Sequence, residues 1–293
     1  MRVPREIALA AKNGEVDVVK AWLDAAPRDV NEICENVPLQ HTFDDSDRTM
    51  TLLHYACATL ANDGHSKVVQ LLIERGADVS LAADMGPNPG YIWHERSYTA
   101  LLLACGYSWG RASPDRVALL LSAGARTDPV TTNPTSFATP LSWAINTLFT
   151  RPDGINSWYR PDRGAAMETV RVLLRAGTPL ESAWRNMIYS AEDHLRGKSP
   201  GSRDGDDYRQ LYNECKELFA GVRAAGTYKA YVRAGHKELL RLRSLIVRGR
   251  AQVRGRSATR NSRSRADGAL FDRVARLPNG AAWNVLSYWR VTN

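Results

Sequence analysis

Cysteine is scarce. The chain has 4 in 293 residues, Cys34, Cys57, Cys105 and Cys215. They are far apart and form no C-x-x-C pair, which argues against a zinc ribbon and gives no disulfide framework. No apolar run approaches the roughly 18 residues that a membrane span requires. The opening segment is interrupted by Arg2, Arg5, Glu6 and Lys12, so it lacks the apolar core of a signal peptide. Cytoplasm, nucleus or both are the expected locations. Linear catalytic patterns are missing too: no P-loop, no dinucleotide-binding glycine triad, no nucleophile elbow and no H-E-x-x-H pair. Asp204, Asp206 and Asp207 sit in a Gly/Ser/Arg loop without the terminal Glu of an EF-hand. The expectation is a protein that is not an enzyme, with no cofactor, no metal and no membrane partner.

What the chain does have is ordinary globular composition, 44% hydrophobic and 24% charged, with a net charge of +8. At this length one large domain or two smaller ones can bury a sizeable core. The charge is unevenly placed. Residues 1–225 hold 24 Lys and Arg against 28 Asp and Glu, whereas residues 226–293 hold 15 against 3. The basic excess therefore belongs to the last quarter.

Self-similarity decides the architecture. Thr51-Leu52-Leu53-His54-Tyr55-Ala56-Cys57 matches Thr99-Ala100-Leu101-Leu102-Leu103-Ala104-Cys105 and Thr139-Pro140-Leu141-Ser142-Trp143-Ala144-Ile145, with Thr, Leu and Ala in fixed places. Downstream, Val68-Val69-Gln70-Leu71-Leu72 with Gly76 matches Arg116-Val117-Ala118-Leu119-Leu120 with Gly124, then Thr169-Val170-Arg171-Val172-Leu173 with Gly177. A further copy opens the chain, from Ile7-Ala8-Leu9-Ala10-Ala11 to Val18-Val19. Thr caps a short first helix, a second helix carries the V-V-x-x-L-L stripe, and Gly closes it in a left-handed turn. One such pair cannot bury its apolar face alone, so stacking is expected.

These units resemble ankyrin repeats, which begin T-P-L-H-x-A and recur every 33 residues or so. The resemblance covers about residues 3–180 and implies an all-α solenoid of about four repeats with long insertions. It also implies that His54, at the family's T-P-L-H histidine, braces neighbouring turns through hydrogen bonds. Cys57 and Cys105 occupy equivalent places beside the motif Ala and read as small core hydrophobes.

Successive motifs start 46, 48 and 40 residues apart, so 13, 15 and 7 residues have been inserted relative to the repeat period. The longest inter-repeat fingers are 27–50, with Asp44, Asp45 and Asp47, and 81–98, with Tyr91 and Trp93. A further insertion, 147–166, separates the helices of the fourth copy and carries Trp158 and Tyr159. Closing long loops costs little, and binding residues concentrate on loops held by a rigid scaffold. The resemblance implies partner contact through fingers and first-helix faces, which makes these seven residues the candidate contacts. The alternative is that the aromatics fold over adjacent repeats and the acids form a solvated turn.

Residues 181–225 leave the motif but remain helical in spacing. Trp184, Ile188, Ala191 and Leu195 form one stripe, and Leu211, Cys215, Leu218, Phe219 and Val222 another. A degenerate helical pair capping the array is expected there. Residues 226–293 read as a basic helical tail whose linker, 248–265, carries Arg248, Arg250, Arg254, Arg256, Arg260, Arg263 and Arg265 with no acid between them. Such a run serves as a nuclear-import signal, a phosphate-binding arm or a solvated linker.

Around it, Leu239, Leu242, Val247 and Arg248, then Leu277-Pro278 ahead of Trp283-Asn284-Val285-Leu286, resemble a SOCS box. Arg243 stands where that box has Cys, and Ser244 where it has Arg. An F-box resembles the same Leu-Pro segment. Three functions follow as expectations. The first is a protein-protein interaction module. The second is a substrate adaptor recruiting elongin and cullin components of a ubiquitin ligase. The third is a nuclear or nucleic-acid-associated scaffold using the arginine tail.

Overall fold

A computed structural model describes residues 2–27, 29–35, 37, 49–58, 63–84, 97–106, 112–127, 139–150, 162–184, 187–201 and 204–247. The chain divides into two compact units, Met1–Phe219 and Ala220–Asn293. Among the described residues there are eleven helices and two short antiparallel strand pairs.

In the first unit the helices come in pairs. They are α1 (Arg5–Asn13) with α2 (Val16–Asp24), α3 (Leu52–Cys57) with α4 (Asp63–Glu74), α5 (Ala100–Ala104) with α6 (Pro114–Ser122), and α7 (Pro140–Leu148) with α8 (Arg163–Arg175). The first helices α3, α5 and α7 each start from a threonine N-cap. Thr99 and Thr139 accept hydrogen bonds from the third-residue amides Leu102 and Ser142 at 3.4 and 3.0 Å, satisfying donors that a helix start leaves unpaired. The second helices close as the glycines require. Gly76, Gly124 and Gly177 have φ of 85°, 91° and 87°. The following amides, Ala77, Ala125 and Thr178, reach back to Leu72, Leu120 and Leu173 at 2.9, 2.9 and 3.1 Å.

The pairs pack in series. α1 lies on α3, α3 on α5 and α5 on α7, while α2 lies on α4, α4 on α6 and α6 on α8. The core runs between the two layers. Val19, Val68, Val69, Leu72, Val117, Leu120, Val170 and Leu173 are all fully buried, and each large apolar side chain of this kind stabilises the fold by about 1.5–3 kcal/mol.

Two strand pairs correct the expectation of helices and plain loops. β1 (Ala82–Asp84) pairs with β2 (Ser97–Thr99) at the base of the 81–98 finger, and β3 (Glu181–Trp184) pairs with β4 (Met187–Ser190). Trp184 and Ile188 are thus strand residues, not members of a helical stripe. The helix starts only at Ala191, in α9 (Ala191–Arg196). In both hairpins the last strand residue is also a helix cap. Thr99 and Ser190 have extended φ/ψ of −77°/159° and −93°/160°, which suits a strand end and an N-cap alike.

α9 packs on α7. Behind it, α10 (Asp206–Ala225) carries the second stripe as expected, with Cys215, Leu218 and Phe219 buried. Arg171 on α8 pairs with Glu214 at 2.6 Å, and Cys215 meets the Met167 sulfur at 3.7 Å. In the second unit, α11 (Tyr228–Val247) follows the turn at Gly226, whose φ is 77°. Gly221 lets the Tyr231 ring lie against the backbone where any Cβ would collide with it.

Candidate protein interface

The 81–98 finger is held at its base from three sides. β1 and β2 pair in the register Ala82 with Thr99 and Asp84 with Ser97, which fixes where segment 85–96 leaves and rejoins the array. His54, on the preceding first helix, supplies the second hold. Its Nδ1 accepts the Thr51 amide at 3.3 Å and lies 2.8 Å from the Thr51 hydroxyl, while Nε2 lies 3.1 Å from the Leu81 carbonyl. A carbonyl can only accept, so Nε2 carries the proton and the ring is neutral. Burial pushes the His54 pKa down to about 4, against smaller opposing contributions from the Leu81 and Tyr98 backbone. This is the bracing role expected of His54. The third hold is the buried Tyr98 on β2.

Finger 27–50 is partly core, which a reading of it as one projecting loop misses. Val30, Cys34, Val37 and Met50 are buried. Cys34 forms a parallel bridge with Val3 and its amide donates to the Met50 carbonyl at 2.8 Å. The Val37 amide donates to the Tyr55 hydroxyl at 3.0 Å, and Asn31 accepts the Asp78 amide at 2.8 Å. Short apolar anchors placed every few residues were the sequence signal for this.

The fourth-copy insertion is shorter than 147–166, because α7 runs to Leu148 and α8 begins at Arg163. Asp44, Asp45, Asp47, Tyr91, Trp93, Trp158 and Tyr159 all lie outside the described residues. So do Arg248, Arg250, Arg254, Arg256, Arg260, Arg263 and Arg265.

The first-helix faces are less available than expected. Every residue of α3 and of α5 is buried, because each is enclosed by a first helix on either side and a second helix behind. On α7, Trp143 and Asn146 are half-exposed; on α1, Leu9 is 42% exposed. In the middle of the series, α3 and α5 therefore present no exposed side chain.

Between consecutive pairs, buried polar groups cap the ends of first helices. His65 Nε2 lies 2.7 Å from the Lys12 carbonyl of α1. Arg116 donates through Nη1 to the Ala56 and Cys57 carbonyls of α3 at 2.7 and 3.3 Å. Thr147 donates to the Cys105 and Gly106 carbonyls after α5, both at 3.2 Å. The last carbonyls of a helix have no partner within it, and in each case the following pair supplies one. Arg116 was hidden in sequence because it occupies the slot filled by Val68 in the previous copy. It is fully buried, and desolvation lowers its pKa.

Residues 49–84 match the family model of the ankyrin repeat. The matched ankyrin repeat contains α3, α4 and β1, so it ends inside the stem of the second finger. The SOCS-box-like or F-box-like reading of the tail has no such support. No curated protein matches the chain.

The ankyrin repeat is an interaction module, and its cysteine is chemically quiet. Cys57 is buried and its thiol is pushed up to about 12, mainly by desolvation and in spite of Arg116. Cys105, Cys34 and Cys215 are buried with thiols shifted in the same direction. Among the described residues no group of three or more His, Cys, Asp or Glu side chains is arranged to hold a metal. Among those residues, too, no helix is long and apolar enough to cross a membrane.

Proposed function

We propose that the chain is a non-catalytic protein-binding module, an ankyrin solenoid of about four repeats that presents its partner surface on two long fingers. The reading rests above all on the serial packing of four helix pairs, each followed by a left-handed glycine or, in the first pair, by an extended return through Cys34. The ankyrin repeat at 49–84 lies within this series. The segment after it, held by the β1–β2 stem and by His54, carries Tyr91 and Trp93. Aromatic side chains of this kind are common anchors in protein interfaces, and a pinned stem reduces the ordering entropy lost on association. Residues 181–219 close the far end of the array, with α9 continuing the first-helix layer.

The test is an affinity capture with the full chain beside Tyr91→Ala/Trp93→Ala. Loss of a captured protein with an unchanged melting temperature supports the reading. Equal loss of binding and thermal stability assigns those aromatics to packing instead. Recovery of elongin or cullin components, dependent on the tail and not on Tyr91 and Trp93, would favour the ligase-adaptor function.

A further inference from the structure

The second unit carries a charged ridge that the protein-binding function does not use. On α11, Lys229, Arg233, Lys237 and Arg241 recur at every fourth position, and all four are exposed. Residues four apart line one slanted ridge of a helix, so the four cations form a row about 18 Å long at 1.5 Å rise per residue. Ala234 is the one other exposed residue among the side chains described on this helix. Among the described side chains of α11, the exposed ones are therefore cationic apart from Ala234. A row of cations spaced along one ridge suits a polyanion in water.

Beyond α11, Arg248 to Arg265 adds seven arginines with no acid among them. Guanidinium groups match phosphate oxygens in bidentate geometry, which makes Arg the usual choice for phosphate recognition.

We propose that the α11 ridge binds the phosphodiester backbone of a nucleic-acid duplex without reading its sequence. Lys229, Arg233, Lys237 and Arg241 each contribute one phosphate contact, independently of any protein held by the repeats. Neutralising four phosphates gives a salt dependence of about −0.9 per contact in log Kobs against log salt. The ridge alone then accounts for roughly a 150-fold fall in affinity between 50 and 200 mM salt.

The experiment is fluorescence anisotropy of a labelled 20-base-pair DNA duplex of arbitrary sequence, titrated with the full chain at several KCl concentrations. Lys229→Gln/Arg233→Gln/Lys237→Gln/Arg241→Gln is expected to make the log-log slope shallower by about 3 to 4. The exchange Lys229→Arg/Arg233→Lys/Lys237→Arg/Arg241→Lys is expected to keep the wild-type slope, which separates charge from folding. Three results overturn the proposal: no duplex binding by the wild-type chain, an unchanged slope in the glutamine variant, or capture of phosphatidylserine vesicles in place of duplex.

Discussion

Replacing Arg116 with Ala probes how one helix pair is fastened to the previous one. The side chain reaches from α6 to the end of α3, where its Nη1 serves the Ala56 and Cys57 carbonyls. Ala deletes both charge-assisted bonds and leaves two buried acceptors, each costing about 1–3 kcal/mol when orphaned. It also removes the packing of the arginine stem, while the cost of burying the cation is relieved. The two orphaned acceptors and the lost packing set the expected net loss at about 3–5 kcal/mol. For a unit of this size each kcal/mol moves the melting point by about 2–4 °C, so circular dichroism should report a fall of about 6–20 °C. Arg116→Met keeps the stem volume and should recover part of the loss. The reasoning is refuted if Arg116→Ala melts within roughly 2 °C of wild type. It is also refuted if Arg116→Met is more stable than wild type, because the slot would then simply prefer an apolar side chain.

Further outcomes follow from the same contacts. His54 is neutral in the fold with its pKa lowered to about 4, whereas the unfolded ring titrates near its ordinary value of about 6.5. Its contribution is therefore complete above about pH 6.5 and is lost as pH falls toward 4. That loss amounts to about 3 kcal/mol, and chemical denaturation across that pH range should show His54→Gln with a flatter profile than wild type. Gly106 has φ of 110° and a Cβ there would collide with the Thr147 side chain. Gly106→Ala should cost about 1–3 kcal/mol by urea titration, and no measurable change would contradict the cap assigned to Thr147. In the second unit, Gly221→Ala drives a methyl into the Tyr231 ring. Hydrogen exchange should quicken in α11, and restoring space with Tyr231→Ala in the same chain should lessen the effect.

Local chemistry made much of the array legible. Thr51, Thr99 and Thr139 act on amides three residues away, and Gly76, Gly124 and Gly177 on their own backbone, so a short window contains the whole interaction. The apolar stripe of the second helices was legible for the same reason. The strand pairs were not. Three or four residues are too few to show alternation, and the pairing of Ala82 with Thr99 crosses a long insertion. Trp184 and Ile188 happened to fall at helical spacing, but β3 and β4 satisfy each other's backbone groups as an antiparallel pair. Arg116 was illegible because its partners, Ala56 and Cys57, lie 60 and 59 residues earlier. Nothing around position 116 marks the slot as needing a donor. The first-helix faces were misjudged because enclosure by neighbouring copies is a property of the stack, not of any one motif.

The central claim is that a protein partner is held on fingers whose stems the array fixes. Hydrogen–deuterium exchange on the full chain, with and without a captured partner, tests it most directly. The account predicts new protection concentrated in residues 38–48 and 85–96, with α4, α6 and α8 unchanged. Protection on the outer faces of α4, α6 and α8, with both finger segments exchanging as before, would contradict it.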